Sequence, residues 1–387
     1  MEEELLLRLR GKRIPYFLIS GETKLKDSSQ YPYERCLVPV QCRLVGETLE
    51  PSFAYMSGTR SIVLPIHDHC FKAKATGIPL SVSQPIIHAG KLLTYHLTHE
   101  IIGSGNIIWG FSSIEEAEKE MFWMSKAREL DLPSSDPIGI GIYKNVHVLD
   151  FGNRWRLVEY LRENDIQAVL KEFMERSRET TAACIFSKAP TDVRVDEIIY
   201  AFLFPGIDRV FDMGDCLDYL KWLGSSCGYN LRMHHDQGIM HGTVLEPPFN
   251  LSNSHLANHL SGESKTWMTD YHMAGGIEDE RMKKEEIFYL CHLMNPLPSA
   301  MRIALERLGK GIQPMYPWII DQPTSNGIQG LVFGDYPISF LTKHEKLTEA
   351  LIKGLEHGYF KSGILEIESR LKREFFSTLV KLKEKMW

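Results

Sequence analysis

The stretch from residue 231 to residue 272 concentrates side chains that can bind a cation. It reads LRMHHDQGIMHGTVLEPPFNLSNSHLANHLSGESKTWMTDYH and holds six histidines, three asparagines and two aspartates. Asn258 precedes Asp270 by 12 positions, and residues at that spacing can flank a β-hairpin and direct two oxygens at one ion. Magnesium prefers a few hard oxygen ligands together with nucleotide phosphates. We therefore predict Asn258 and Asp270 as magnesium ligands.

A lysine on a strand and a glutamate on a helix form a second candidate pair upstream. Glu120 falls on the apolar face of a predicted helix, and an unpaired buried charge is costly, so it needs a cationic partner. Lys74 is the first choice for the cationic partner of Glu120, because small residues follow it in the sequence. Lys72 is the second choice, with the two side chains expected on opposite sides of the strand. A strand lysine oriented by a helix glutamate can hold the α- and β-phosphates of a nucleotide.

The elements that must position these side chains change character along the chain. SGTRSIVLPI, HCFKAKATGIPL and PIGIGIYKNVHVLDF favour strands. Ser112 or Ser113, followed three residues later by Glu115 or Glu116, predicts the start of a helix that Pro133 closes. A long amphipathic helix runs into residue 231, and further helices follow over 280–310 and in two closing segments. Strands first and helices afterwards favour an α+β chain with two lobes.

The order of these parts resembles the protein-kinase-like superfamily, and within it the atypical branch that includes selenoprotein O. GIMHG resembles the histidine-glycine opening of a catalytic loop, LANHL its asparagine end, and MTDYHM the metal-binding Asp-Phe-Gly segment. The resemblance covers roughly residues 57–275. It implies a small β-rich lobe with one main helix, a larger helical lobe, and ATP with Mg²⁺ held between them. It also implies that His241 holds backbone groups by hydrogen bonds.

Three ranges follow from this resemblance. We expect residues 1–50 to form an N-terminal extension. Residues 51–160 are expected to form the small nucleotide-binding lobe, in which Gly58 and Arg60 would occupy the position of the loop that covers the phosphates. Residues 161–387 are expected to form the helical lobe, which would carry the catalytic-loop-like and metal-binding segments.

The sequence departs from the family at the position of the catalytic base. Thr243 follows His-Gly where an acid is usual, and Asn253 stands five residues before Asn258. An inserted loop separates the His-Gly end of the catalytic loop from its asparagine end. Glu246 within this loop is a candidate to replace the missing catalytic base. Phosphoryl and nucleotidyl transfer depend largely on positioning and charge neutralisation, so loss of the base does not exclude catalysis. Thr243, Asn253 and Glu246 are the candidates to order the acceptor.

Three functions remain open from the sequence. The first is a transferase that moves a phosphoryl or AMP group from ATP to an unknown acceptor. The second is a pseudokinase that binds a nucleotide or a partner without turnover, as the missing acid suggests. The third is a metal-dependent phosphohydrolase built on the triplet His234-His235-Asp236 together with His255 and His259. Such a centre would need two further ligands from other helices.

Composition narrows the class of protein. The chain has 387 residues, of which 43% are hydrophobic and 24% charged, with a net charge of −6. This balance is typical of a globular protein and argues against a general nucleic-acid partner. The seven cysteines include no C-x-x-C pair, which favours reduced thiols. No apolar run reaches the length of a membrane span, and the N-terminus lacks the apolar core of a signal peptide, so we expect a cytoplasmic protein.

Overall fold

The computed structural model contains both α-helices and β-strands, as the sequence predicted. It describes residues 13–19, 21–25, 36–39, 52–56, 61–66, 69–76, 87–88, 91–92, 112–143, 182–195, 198–199, 202, 210–246, 249–252, 256–288, 290 and 338–384. Within these ranges, no helix combines the length and the apolar character needed to cross a membrane.

The described residues divide into two compact units. The strand unit lies within 11–122 and 136–190, and the helical unit within 123–135 and 191–387. The strands of the strand unit are β1 (Arg13–Ile19), β2 (Gly21–Leu25), β3 (Cys36–Pro39), β4 (Ser52–Met56), β5 (Ser61–Ile66), β6 (His69–Lys74), β7 (Ile87–His88), β8 (Lys91–Leu92), β9 (Ser112–Ser113), β10 (Asp136–Tyr143) and β11 (Ala182–Ala189).

One antiparallel sheet organises the strand unit. Its strand order is β2-β10-β11-β6-β5-β4-β1-β3, and β9 pairs with β11. Strands β1 to β3 come from the range predicted as an N-terminal extension, and β11 comes from the range predicted as the helical lobe. Strand β6 lies inside the sheet between β5 and β11, and its register is regular on both sides. The two lysines of β6 are therefore carried by a strand that is hydrogen-bonded along both edges.

Helix α1 (Ile114–Glu129) follows β9 and confirms the helix predicted there. Its start is the predicted capping box, in which the Glu116 amide donates to Ser113 Oγ at 3.1 Å and the Ser113 amide to Glu116 Oε2 at 3.5 Å. Ala117 packs in a buried cluster with Ile140 and Ile185 of the sheet. Burial of this apolar face fixes the rotation of the helix about its axis, and hence the direction in which Glu120 points.

The described residues of the helical unit form four further helices, a short 3₁₀ turn and three two-stranded ribbons. The helices are α2 (Met213–Asp236), α3 (Glu280–Phe288), α4 (Ile338–Phe360) and α5 (Ser369–Glu384), and the 3₁₀ turn is Leu256–Asn258. The ribbons pair β12 (Ile239–Met240) with β17 (Gly275–Gly276), β13 (Thr243–Glu246) with β14 (Phe249–Ser252), and β15 (His259–Ser261) with β16 (Thr266–Met268).

Helices α2 and α4 approach each other closely enough for backbone contact. Gly224 and Gly228 on α2 face Gly354 and Gly358 on α4, and the two glycines that each helix places at the crossing are four residues apart. A Cβ at Gly228 would overlap the Leu355 carbonyl oxygen. A side chain at this crossing would force the helices apart, because both neighbours are backbone rather than flexible side chains. The crossing therefore fixes α4 against α2 with little freedom.

Aromatic side chains complete the core of the helical unit. Phe375 of α5 is fully buried and stacks on Tyr219 of α2, with ring centroids 4.3 Å apart. Burial of such a side chain stabilises the fold by about 1.5–3 kcal/mol. The long helix and the closing helices predicted from the sequence are thus confirmed, and they share one core.

Candidate functional site

Lys74 and Glu120 form a buried ion pair within the strand unit. Lys74 Nζ lies 2.7 Å from Glu120 Oε2, and the side chains are 5% and 1% exposed. Strand β6 and helix α1 supply the two partners, as the sequence predicted. Replacing a buried ion pair with apolar residues is often neutral or stabilising, so stability alone does not account for its presence.

Lys72 lies on the same face of β6 as Lys74, and the expectation of opposite sides was wrong. Side chains alternate along a strand, so residues two positions apart project to one face. The register of β6 is regular through both lysines, from Lys72 opposite Val63 to Lys74 opposite Ser61. Both lysines are buried. The preference for Lys74 therefore depends on its contact with Glu120.

Left-handed backbone occurs at Ala75, beside Lys74, in the strand unit and at Asp270 in the helical unit. The described non-glycine residues with positive φ are Ala75 at 63°, Asp131 at 57°, Asp270 at 71° and Ser362 at 52°. Asp131 and Ser362 follow the ends of α1 and α4, where this conformation is common. Ala75 directly follows Lys74, and Asp270 is the predicted metal ligand. Such backbone costs about 1–3 kcal/mol and tends to cluster at functional sites.

Asn258 and Asp270 stand at the two ends of the β15–β16 hairpin, which confirms the predicted hairpin. The Thr269 amide donates to the Asn258 carbonyl at 2.9 Å, so the ladder extends to these two residues. Asp270 is the next residue along the chain. The backbone therefore brings Asn258 beside the residue that precedes Asp270. Asn258 is 3% exposed, whereas Asp270 is partly exposed.

The hairpin is fixed to helix α2 by buried polar contacts. Asn230 Nδ2 donates to the Thr266 carbonyl at 2.8 Å, and Ser226 Oγ lies 2.9 Å from Thr266 Oγ1. Backbone bonds also tie the hairpin to neighbouring segments: the Met268 amide donates to the Pro133 carbonyl, and the Ser261 amide donates to the Val193 carbonyl. The position of Asp270 is thus set by several elements of the helical unit.

His241 ties the His-Gly turn to the hairpin, as the family resemblance implied. Its ring is fully buried, and Nε2–H donates to the Thr269 carbonyl at 2.9 Å. Gly242 has φ of +117°, and a Cβ there would overlap Met273. Only glycine adopts this conformation at low cost, so the turn depends on it. Thr269 therefore accepts from His241 on one side and donates to Asn258 on the other.

The buried carboxylate of Glu286, on α3, anchors the same His-Gly turn by accepting hydrogen bonds from its backbone. Its Oε2 accepts from the His241 amide at 3.3 Å, and its Oε1 accepts from the Gly242 amide. His235 Nε2 lies 2.7 Å from Glu286 Oε2, and His235 Nδ1 lies 2.6 Å from the Tyr359 hydroxyl. These donors satisfy a carboxylate that is fully buried.

His234 is a neutral structural histidine. Burial lowers its pKa to about 3. Its Nδ1–H therefore donates to the Asn230 carbonyl at 2.7 Å, and its Nε2 accepts from the Tyr271 hydroxyl at 2.8 Å. Burial also raises the pKa of Tyr271, which keeps the phenol protonated. A metal ion at His234 would have to displace both partners.

The rest of the His-His-Asp triplet also has protein partners. Both ring nitrogens of His235 are hydrogen-bonded, and Asp236 is exposed and paired with Arg232 at 2.7 Å. The geometry of the triplet therefore gives no support to a phosphohydrolase centre.

Asp270 has a neighbour whose role the sequence did not reveal. His272 Nδ1 donates to Asp270 Oδ1 at 2.5 Å, and the side chains are 13% and 19% exposed. The sequence analysis treated His272 only as a departure from the family. The contact orients the Asp270 carboxylate through Oδ1, and Oδ2 is not part of it.

The predicted acceptor-ordering residues are only partly covered by the structure. Thr243 and Glu246 begin and end β13, where they pair with Ser252 and Phe249 of β14. The inserted loop is thus a β-ribbon. Asn253, Gly58 and Arg60 lie outside the described residues.

Glu286 and Tyr359 were missed from the sequence. Glu286 follows another glutamate, and no spacing distinguishes the two. Tyr359 lies 124 residues from the histidine it contacts. Only a contact between distant segments identifies them.

Comparison with known proteins does not extend these observations. No protein-family model matches the sequence. No curated protein matches it either.

Proposed function

We propose that this protein binds ATP with magnesium and transfers a phosphoryl or AMP group to an acceptor, as a distant member of the protein-kinase-like superfamily. The observation that carries the proposal is the buried Lys74–Glu120 ion pair. In protein kinases, a strand lysine paired with a helix glutamate contacts the phosphates and must be in place for transfer. The pair occurs here with the same chemistry and the same kinds of element.

The donor set at the hairpin suits magnesium. Asn258 and Asp270 offer an amide oxygen and a carboxylate, which are hard ligands. Asp270 adopts a strained backbone, and His272 orients its carboxylate. Bound magnesium would neutralise charge on the phosphates.

The chain's own groups have distinct roles in this proposal. Lys74 binds the phosphates as a point charge, and Glu120 keeps the ammonium directed. His241 holds the Thr269 carbonyl, so that Asp270 keeps its conformation. Thr243, Glu246 and Asn253 are the groups proposed to order the acceptor. Positioning of this kind supplies much of the catalysis in phosphoryl transfer.

Thermal-shift titration tests nucleotide binding. ATP with Mg²⁺ at 100 times Kd should stabilise the protein by about 2.7 kcal/mol. Asp270→Asn should abolish the part of the shift that depends on Mg²⁺. Asp279→Asn is the matched control, because Asp279 is exposed and caps α3, where asparagine serves equally well. Absence of any shift in the wild-type protein would overturn the proposal.

Labelled ATP separates turnover from binding. Transfer of label from the α-position indicates AMP transfer, and transfer from the γ-position indicates a kinase. Thr243 in place of an acid favours a second candidate, a pseudokinase that binds nucleotide without turnover. Binding without transfer of either label would support that candidate.

A further inference from the structure

A continuous chain of hydrogen bonds leads from helix α4 to the proposed metal ligands. Tyr359 contacts His235, which contacts Glu286. Glu286 accepts from the backbone of His241 and Gly242. The His241 ring then donates to Thr269, whose amide donates to Asn258. Every link belongs to the helical unit, and the links that join side chains are buried.

The hydrogen bond between Tyr359 and His235 Nδ1 decides whether Nε2, the ring nitrogen that faces Glu286, carries a proton. Burial raises the pKa of Tyr359 to about 12, so the phenol stays protonated. A hydroxyl that donates to Nδ1 leaves the ring proton on Nε2, where it faces the carboxylate. Without the hydroxyl, the tautomer with a lone pair facing Glu286 becomes accessible. That tautomer would repel the carboxylate that anchors the His-Gly turn.

The helix that carries Tyr359 is held in place independently of this chain. Gly358, the preceding residue, lies against the backbone of Ser225 and Tyr229 on α2. A Cβ at Gly358 would overlap the Ser225 carbonyl oxygen. The hydroxyl is therefore delivered to His235 by a rigid helix crossing rather than by a mobile segment.

We propose that Tyr359 is a positioning residue for Asn258 and Asp270 and acts on them through His235, Glu286 and His241. The inference rests on the proposed function, because the consequence concerns magnesium. It assigns Tyr359 of α4, which lies about 90 residues beyond the hairpin in sequence, to the metal site. Removing an outer partner of metal ligands typically weakens metal binding by about 10–100-fold.

The variant Tyr359→Phe tests this chain in the full-length protein, with Tyr229→Phe as control. Tyr229 is a half-buried tyrosine on α2 beside the same helix crossing, and it is outside the hydrogen-bond chain. Hydrogen exchange at the amides of residues 241–242 and 269 should become about five- to tenfold faster in Tyr359→Phe, because their anchoring bonds weaken. Tyr229→Phe should leave the exchange unchanged. Unchanged exchange in Tyr359→Phe would overturn the proposal whatever the protein binds.

ATP affinity measured with Mg²⁺ and with EDTA supplies a second readout, which a purely structural role would not change. Tyr359→Phe should reduce the gain from Mg²⁺ by about tenfold and leave the affinity in EDTA as in the wild type. A retained gain, together with faster exchange, would overturn the positioning role. Absence of Mg²⁺-dependent ATP binding in the wild type would overturn the proposed function and the metal role with it, while the exchange result would still report on the chain.

A second variant covers the case in which Tyr359→Phe does not fold. His235→Gln keeps a donor for Glu286 but loses the contact with Tyr359. It should give the same loss of the Mg²⁺ gain, and a retained gain in this variant would overturn the proposal.

Discussion

Two buried glutamates, one in each unit, are stabilised by different kinds of partner. Glu120 pairs with the Lys74 ammonium, whereas Glu286 accepts from an imidazole and two backbone amides. A lysine remains a charged group that a phosphate can also contact. The two backbone amides belong to the His241-Gly242 turn, so Glu286 fixes the shape of that turn. The comparison indicates that the same residue type holds a lysine ammonium in one unit and backbone geometry in the other. Under the proposed function, that ammonium contacts the phosphates.

Removing Glu286 should have the largest effect. Glu286→Ala leaves His235 and two amides without their buried acceptor, and we expect a loss of about 3–5 kcal/mol in the free energy of unfolding. Urea denaturation measures it. Glu356→Ala on the exposed face of α4 is the control and should leave the midpoint unchanged. A small loss in Glu286→Ala would mean that the turn does not depend on this carboxylate.

Removing the Lys74 charge should lower the free energy of unfolding less when Glu120 is neutralised as well. Lys74→Met alone leaves Glu120 buried and unpaired, and we expect a loss of about 3 kcal/mol. The double variant Lys74→Met/Glu120→Gln should regain most of this stability yet show no thermal shift with ATP and Mg²⁺. If the double variant binds nucleotide as the wild type does, the distinction between the two glutamates fails.

The neutral His234 should make the helical unit sensitive to acid. The folded pKa of about 3 lies below the ordinary value of 6.5. The unfolded chain therefore takes up a proton that the folded chain does not, and stability falls as the pH drops from 6.5 toward 3. This residue contributes a slope of up to about 1.4 kcal/mol per pH unit in that window. Urea denaturation across the window should show a shallower slope for His234→Gln, and equal slopes would contradict the assignment.

An exposed ion pair that involves Glu118, on the same helix α1 as Glu120, provides the smallest expected effect on stability. Lys24 Nζ lies 3.1 Å from Glu118 Oε1, and both side chains are about half exposed. Glu118→Gln should change the free energy of unfolding by less than about 0.5 kcal/mol, because solvent screens such pairs. Chemical denaturation of this variant beside Glu120→Gln isolates the effect of burial. Comparable losses of unfolding free energy in Glu118→Gln and Glu120→Gln would show that burial does not decide how much these ion pairs stabilise the protein.

The sequence determined the elements that carry the candidate site. The capping box at Ser113, the apolar face with Ala117, and the hairpin between Asn258 and Asp270 follow from residue types and spacing, which are local properties. The Glu120–Lys74 pair was also predictable, because an acid on an apolar helix face needs a cation and the small residues after Lys74 favoured it over Lys72.

Tertiary structure decided the contacts that span long distances in sequence. Nothing in the spacing distinguishes Glu286 from its neighbouring glutamate or connects Tyr359 to His235, because these contacts depend on how closely α2 and α4 pack. The shared face of Lys72 and Lys74 was open to inference from strand geometry, but the choice between them depends on where α1 directs Glu120. Periodicity and capping are encoded within a few residues, whereas the partner of a buried polar group is set by which helices and strands pack around it.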